Sequence, residues 1–263
     1  IFGSFSDLRT SLEASETAAE FIRGKIRETV TDPAVAEKLV PHDHPFGSKR
    51  TLIDTNYFET YNRPNVTLVD INEHPIAEIT ESGITAGEDQ YDVDIIVYAT
   101  GFDAMTGSFN RIDIRGRGGE KLSDKWSAGP LTYLGFSVAG FPNMFMVTGP
   151  GSPSVLTNMP IAIEQHVDLA KEIIVHMRSE GLDLIEAEPD AETAWVQHVN
   201  ELAEPTMFMH ANSWYLGANI PGKPRVFMPY AGGMGTYRRH CESVIADGYT
   251  GFTLSKNTQD ATV

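Results

Sequence analysis

The chain has 263 residues, 41% of them hydrophobic, which is enough to bury one large core or two modest ones. Its formal net charge of −16 argues against a broad surface for nucleic acids or membranes, so any phosphate site must be a local basic island. We find no run of about 20 apolar residues and no secretory leader pattern, and the single cysteine, Cys241, cannot form an internal disulfide. These features predict a cytoplasmic protein.

The first 100 residues contain signals for both helices and strands. Apolar residues recur every three or four positions from residue 15 to 30, which predicts an amphipathic helix with Ser15 as its cap. Asp32-Pro33 predicts the start of a shorter helix. Three later segments have strand character: residues 66–71, 76–80 and 93–99. The last is a continuous apolar run, typical of a buried parallel strand.

The composition changes after Thr100-Gly101, and we place a crossing between two domains near residues 101–103. Strands are predicted at residues 133–139 and 143–148, and helices at residues 158–178, 190–203 and 237–248. The first of these helices carries Ile163, Val167, Ala170, Ile174 and Met177 on one face. This alternation of strands and helices predicts an α/β fold.

A glycine-rich loop at residues 149–153 precedes the long helix that begins at Asn158-Met159-Pro160. Unpaired amides at a helix start suit a phosphate or a partial negative charge, although a simple turn explains the glycines equally well. Ser152 could instead be the nucleophile of a serine hydrolase. Pro150 and Ser154 stand where that motif requires glycine, which argues against it.

Two adjacent cations, Lys49 and Arg50, lie in a loop rich in Pro, His and Gly. They are either a solvated pair or a site in which Arg stabilises an oxyanion and Lys binds a phosphate. His42 and His44 have no third ligand at a recognisable spacing, so we predict no metal site.

Four further side chains have either a structural or a functional role. We expect His166, His198 and His240 to be partly exposed helix residues. Trp214 is either a core anchor or a ring that packs on a cofactor.

Six segments, in order, resemble the Baeyer–Villiger monooxygenases. They are residues 44–50 (HPFGSKR), 94–103 (DIIVYATGFD), 126–130 (WSAGP), 140–143 (GFPN), 149–154 (GPGSPS) and 213–223. The resemblance covers nearly the whole chain except the last eight residues, which we predict to be a frayed tail.

The resemblance implies an enzyme with FAD and NADPH as cofactors. Reduced FAD would react with O2, and the resulting peroxyflavin would attack a hydrophobic ketone to give an ester or lactone. A related flavin monooxygenase that oxidises nitrogen or sulfur is the alternative, although Asp103 after Gly101-Phe102 favours the first.

The resemblance also assigns roles to residues. Arg50 would be catalytic by stabilising the anionic intermediate, Lys49 would bind the 2′-phosphate of NADPH, and Trp214 would contact its nicotinamide nucleotide. The other expected cofactor contacts are Gly101, Asp103, Gly151, Ser152, Asn158 and Met159. The expected ketone pocket consists of Ser154, Val155 and Leu156.

Finally, the resemblance implies parts of two dinucleotide-binding, Rossmann-like domains. Residues 1–40 would be part of a helical insertion, 41–102 the C-terminal part of an NADP-binding domain and 103–263 the C-terminal part of an FAD-binding domain. The sequence has no G-x-G-x-x-G turn for a pyrophosphate. We therefore expect the isolated chain to be colourless and inactive, and to need an N-terminal half of the same fold.

Overall fold

The computed structural model describes residue 5 and residues 7–256. The chain forms two compact units, Ile1–Gly101 and Phe102–Val263. None of the helices in the described residues combines the length and apolar character that crossing a membrane requires. Most of the predicted tail, residues 257–263, lies outside the described residues.

The first unit begins with three helices: α1 (Leu12–Thr29), α2 (Pro33–Leu39) and α3 (Tyr57–Thr60). Ser11, not Ser15, caps α1 by accepting the amide of Ala14. Ser15 lies inside the helix, and its hydroxyl donates to Phe46 O. The prediction of Asp32 at the start of α2 is confirmed. The two longer helices bury a small cluster: Ile26, Val30, Ala36 and Val40.

A three-stranded antiparallel sheet completes this unit, in the order β1 (Ile76–Ile79), β2 (Gly83–Ala86) and β3 (Asp89–Asp92). Only β1 was predicted correctly. Residues 66–71 are irregular, and residues 93–99 form no strand, with Ile95 and Val97 80% and 81% exposed. The prediction of a buried parallel strand is therefore wrong for the described chain, because no described strand pairs with this segment.

The second unit is mainly helical. Its elements are α4 (Gly107–Asn110), α5 (Leu122–Lys125), α6 (Met159–Glu180), β4 (Leu184–Ala187), α7 (Pro189–Ala203), α8 (Met234–Ala246) and β5 (Phe252–Ser255). Strands β4 and β5 pair antiparallel. The three long helices were predicted to within a few residues, and their buried faces enclose the main core around Phe136, Ile173 and Tyr237.

The strands predicted at residues 133–139 and 143–148 are absent from the described structure. Residues 133–139 are buried, whereas Met146 is the one buried residue of the second segment. Tyr133 and Ser137 are joined in a tight turn through Leu134-Gly135, and Met146 N–H donates to Phe136 O. Residues 133–139 are apolar because they fill the core, and Phe145 and Met146 of the second segment pack against it without belonging to a sheet. A Cβ on Gly135 would lie 2.4 Å from Ser152 N, so this turn requires glycine.

The buried face of α6 differs from the predicted one by one residue. Ala162, His166, Leu169, Ile173 and Met177 are buried, whereas Ile163, Val167 and Ile174 are exposed. Because apolar residues occupy two adjacent faces of this helix, periodicity could not identify the inner one.

His166 is only 1% exposed, so the expectation that it is partly exposed is wrong; His198 and His240 are half-buried, as expected. His166 Nδ1 accepts Thr148 N–H at 2.9 Å, and His166 Nε2 contacts Tyr237 Oη. Tyr237 Oη donates to Leu134 O at 2.6 Å. The amide donor at Nδ1, together with a Tyr237 hydroxyl that donates elsewhere, favours the tautomer with the ring proton on Nε2. Burial lowers the pKa of His166 to about 4, so the imidazole is neutral.

We predict that Ile173→Ala destabilises the chain by about 2–5 kcal/mol, because the side chain is fully buried and its loss leaves a cavity. The matched control is Ile174→Ala on the same helix, where the residue is 40% exposed. We expect the control to cost less than about 1 kcal/mol. Chemical denaturation followed by circular dichroism measures both values, and equal effects would contradict the assignment of the buried face.

We predict that His166 makes the chain less stable as the pH falls. Its pKa drops from an ordinary value of 6.5 to about 4 on folding, so between these pH values the unfolded chain binds a proton that the folded chain excludes. The free energy of unfolding should therefore decrease by up to about 3 kcal/mol as the pH falls from 6.5 to 4. In His166→Asn the slope over this window should be shallower, and an unchanged slope would contradict the buried neutral imidazole.

Candidate functional site

The loop of residues 148–152 is fixed by hydrogen bonds from the surrounding core; we call it the cofactor loop because the resemblance predicts a cofactor contact there. Gly151 N–H donates to Met228 O at 2.7 Å, and Trp195 Nε1–H donates to Gly151 O at 3.0 Å. Gly151 has φ 86°, and a Cβ there would lie 2.8 Å from Thr132 Oγ1. The loop therefore requires glycine at this position.

Neighbouring groups of the cofactor loop are satisfied in the same way. Thr132 Oγ1 donates to Pro150 O at 2.7 Å, and Tyr230 N–H donates to Ser152 O at 2.8 Å. The Ser152 hydroxyl donates to Gly149 O at 2.7 Å, and the residue is only 1% exposed. Ser152 thus stabilises the loop and is not placed as a nucleophile.

Helix α6 begins seven residues after the cofactor loop and has an open N-terminus. The Asn158 side chain makes no capping hydrogen bond within the described chain, and Pro160 in the first turn has no N–H to donate. Asn158 is exposed and Met159 is half-buried. A helix of 22 residues with an uncapped start presents partial positive charge to any ligand placed there.

The connecting turn carries the residues expected to bind substrate. Ser154 is 2% exposed, has φ 41°, and its hydroxyl approaches Met105 Sδ at 3.7 Å. Val155 and Leu156 are half-buried and pack against an apolar cluster, and half-buried Trp214 packs against the same cluster. The cluster consists of Ala203, Tyr215, Leu216 and Phe227. One apolar cluster thus supports both the expected ketone pocket and Trp214.

Asp103 forms an ion pair with Lys223, with Nζ and Oδ1 2.5 Å apart, and Lys223 also donates to Ala104 O at 2.9 Å. Asn219 Nδ2 donates to Phe102 O at 3.1 Å. The segment after Trp214 therefore holds residues 102–104 in place. Gly101 has φ 87°, and a Cβ there would meet no described atom within 4 Å.

The loop that carries Lys49 and Arg50 is anchored at Ser48. Ser48 is fully buried, and its hydroxyl donates to Pro45 O at 2.6 Å. Lys49 is half-buried with Nζ 3.4 Å from an oxygen of Asp43, and Arg50 is exposed. The loop therefore turns Arg50 towards solvent in this unit.

The acidic neighbour of this loop, Asp43, is paired on two sides. A hydrogen bond from His44 is the main cause that lowers the Asp43 pKa, and Lys49 adds to it. His42 lies 3.8 Å from a carboxylate oxygen of Glu37. Within the described residues, no group of three or more His, Cys, Asp or Glu side chains is arranged to hold a metal ion.

The predicted site residues fall into two groups. Lys49, Arg50 and Gly101 belong to the first unit. The second unit brings together, along one continuous path, the cofactor loop, the turn at residues 154–156 and the start of α6. The residues that hold this path, Thr132, His166, Trp195 and Tyr230, were not recognised from the sequence as part of a site.

No protein-family model matches this chain. Several known proteins are nevertheless similar to it over nearly its whole length. A Baeyer–Villiger monooxygenase from Pseudooceanicola batsensis is 45% identical over 261 residues, which cover 98% of this chain and 47% of that protein. The phenazine N-monooxygenase PhzNO1 of Lysobacter antibioticus is 42% identical, over 97% of this chain and 46% of that protein.

A solved structure of OTEMO in complex with FAD and NADP superposes with a TM-score of 0.90 at 43% identity, over 95% of this chain and 46% of that one. The chain spans about half the length of the curated relatives it matches. The chain is a homologue of the C-terminal half of the Baeyer–Villiger monooxygenases.

Proposed function

We propose that the chain supplies the C-terminal half of an FAD- and NADPH-dependent Baeyer–Villiger monooxygenase. This enzyme inserts one oxygen atom from O2 next to the carbonyl of a hydrophobic ketone and releases an ester or lactone. The observation that carries the proposal is the rigid cofactor loop leading into the uncapped N-terminus of α6. Homology to monooxygenases over nearly the whole chain supports it.

The second unit fits a flavin on chemical grounds. The ring system of FAD carries carbonyl oxygens with partial negative charge, which the open amide end of α6 favours. We assign Gly151, Ser152, Asn158 and Met159 to this contact. When bound, FAD supplies the electrons and the oxygen-activating chemistry, while the chain holds the ring and excludes water.

The residues at 154–156 are proposed to line the ketone pocket. Val155 and Leu156 present apolar side chains supported by the cluster around Tyr215 and Phe227. Such a surface binds the hydrocarbon part of a ketone and leaves its carbonyl to polar groups. The buried position of Ser154 makes its main contribution steric.

Arg50 is proposed to stabilise the negative charge that develops during oxygen insertion, since a guanidinium offers a planar fork of donors. Lys49, partly engaged by Asp43, is proposed to bind the 2′-phosphate of NADPH, and Trp214 to contact the nicotinamide nucleotide. Gly101 and Asp103 would contact cofactor through the backbone, because the Asp103 carboxylate is paired with Lys223.

We assign residues 1–40 to part of a helical insertion, 41–102 to the NADP-binding domain and 103–263 to the FAD-binding domain. The division between the two compact units after Gly101 supports this arrangement. Free, buried Cys241 supports a reducing, cytoplasmic location.

An N-terminal half of the same fold is the proposed partner, on the same polypeptide or another. Residues 93–99 are mostly apolar and largely exposed, and an added strand would pair with them and bury Ile95 and Val97. Oxidation of an aromatic nitrogen is the second candidate function, because the relative from Lysobacter antibioticus is a phenazine N-monooxygenase. Product analysis with a ketone and a phenazine separates the two.

We predict that the chain alone retains no FAD, and that the chain mixed with the N-terminal half of a relative does. The reason is that the sequence lacks a G-x-G-x-x-G turn for the pyrophosphate. The measurement is the absorbance spectrum after desalting. A mixture without a flavin band would contradict the proposed function, and a flavin band in the chain alone would contradict the need for a partner.

We predict that Arg50→Ala lowers kcat of the assembled enzyme about 10²- to 10³-fold, as expected for the loss of an oxyanion-stabilising donor. Flavin retention should be unchanged. Arg63→Ala, another exposed arginine of the same unit, is the matched control and should retain full activity. Ketone-dependent NADPH consumption measures both variants, and equal activities would contradict the role of Arg50.

We predict that Ile95→Asp weakens assembly with the N-terminal half at least about tenfold, because a buried, unpaired carboxylate disfavours strand pairing. Thr17→Asp is the control, since it adds the same charge at an exposed position on α1 of the same unit. Titration of one half with the other, followed by flavin retention, gives both affinities. An Ile95 variant that assembles like the control would show that residues 93–99 are not the docking edge.

A further inference from the structure

We propose that His166 is a positioning residue for the flavin: as a neutral hydrogen-bond acceptor it fixes Thr148, and through Thr148 it sets the geometry of the cofactor loop. The inference rests on the proposed function, since it takes FAD as the ligand of that loop. His166 lies on the buried face of α6 and belongs to none of the motifs recognised in the sequence.

Thr148 needs an external constraint. Its φ of 56° lies in the left-handed region, which a β-branched residue rarely adopts. Its amide N–H donates to His166 Nδ1 at 2.9 Å. Thr148 is followed directly by Gly149, so the orientation of this one peptide fixes the direction in which the loop leaves the core.

The same imidazole also supports a second turn. His166 Nε2 bonds Tyr237 Oη, which donates to Leu134 O at 2.6 Å. Leu134, at φ 57°, precedes Gly135, whose backbone packs closely on Ser152 N. His166 therefore links Thr148, the first residue of the cofactor loop, with the turn that packs against Ser152 at the other end of the loop.

The arrangement requires an unprotonated Nδ1. Met146 O lies 3.0 Å from Nδ1, so a protonated ring would donate to that carbonyl and lose Thr148 N–H as a partner. The titratable groups next to the ring are Tyr237 and, beyond it, Cys241. Burial raises the pKa of both, so neither carries charge at neutral pH. The neutral surroundings preserve Nδ1 as an acceptor.

The test compares two replacements in the enzyme assembled with its N-terminal half. His166→Asn keeps an acceptor near the position of Nδ1, whereas His166→Leu has a similar volume and no acceptor. The control is His176→Leu, a half-buried histidine ten residues further along the same helix. We expect His166→Leu to shift the visible absorbance and circular dichroism bands of bound FAD and to raise its dissociation constant about tenfold. His166→Asn should restore both to near the wild-type values.

Three results would overturn the inference. His166→Leu could match the control in flavin spectrum and affinity, His166→Asn could be as impaired as His166→Leu, or the wild-type ring could carry its proton on Nδ1. The last is measured by ¹⁵N NMR of histidine in the chain alone and requires no flavin.

Hydrogen exchange of the Thr148 amide in the chain alone gives a second readout without flavin. We expect protection in the wild type and His166→Asn and its loss in His166→Leu. If the wild-type assembly retains no FAD, the proposed function fails, while these two measurements still decide whether His166 fixes Thr148. If His166→Leu does not fold, ¹⁵N NMR of the wild-type ring and the flavin spectrum of His166→Asn decide, since a proton on Nδ1 or an impaired His166→Asn would each overturn the inference.

Discussion

The hydrogen bonds that fix the cofactor loop are the constraint on which the rest of the second unit depends. Trp195 from α7, His166 from α6 and the backbone of Met228 and Tyr230 each satisfy a group of this loop. A buried backbone group that lacks a hydrogen-bond partner destabilises the fold, so the loss of any one of these partners would disturb the loop. The core is thus built around a loop whose shape is set before any ligand binds, which is what precise placement of a ring system requires.

Local sequence was sufficient for the longer helices and insufficient for most of the strands. The start of α2 follows from Asp32-Pro33, and α7 from its periodicity, because capping and amphipathicity are local properties. Residues 93–99 have the composition of a buried strand, but a strand forms only where a partner edge exists, and none is described. The same limit applies to β4 and β5, which pair across about 70 residues and were not predicted.

In the candidate site, too, local motifs were recognisable from the sequence, whereas long-range contacts were not. Residues adjacent in sequence, such as Lys49 with Arg50 and the run from Gly149 to Ser154, were recognisable as motifs. Their supports were not, because Thr132 and Trp195 reach the loop from 18 and 44 positions away. His166 was expected to be partly exposed, since a lone histidine in an amphipathic helix carries no signal of its partners. Only the fold reveals that Thr148 and Tyr237 meet on its ring.

The proposed function requires that this chain complete an enzyme that transfers one atom of O2 into a ketone. The most direct measurement is mass spectrometry of the product formed by the two assembled halves with NADPH, a hydrophobic ketone and ¹⁸O2. We expect an ester or lactone that carries one ¹⁸O atom in its new ring or chain position. NADPH consumption with unlabelled ketone recovered intact, or a label found only in an N-oxide when a phenazine is supplied, would contradict it.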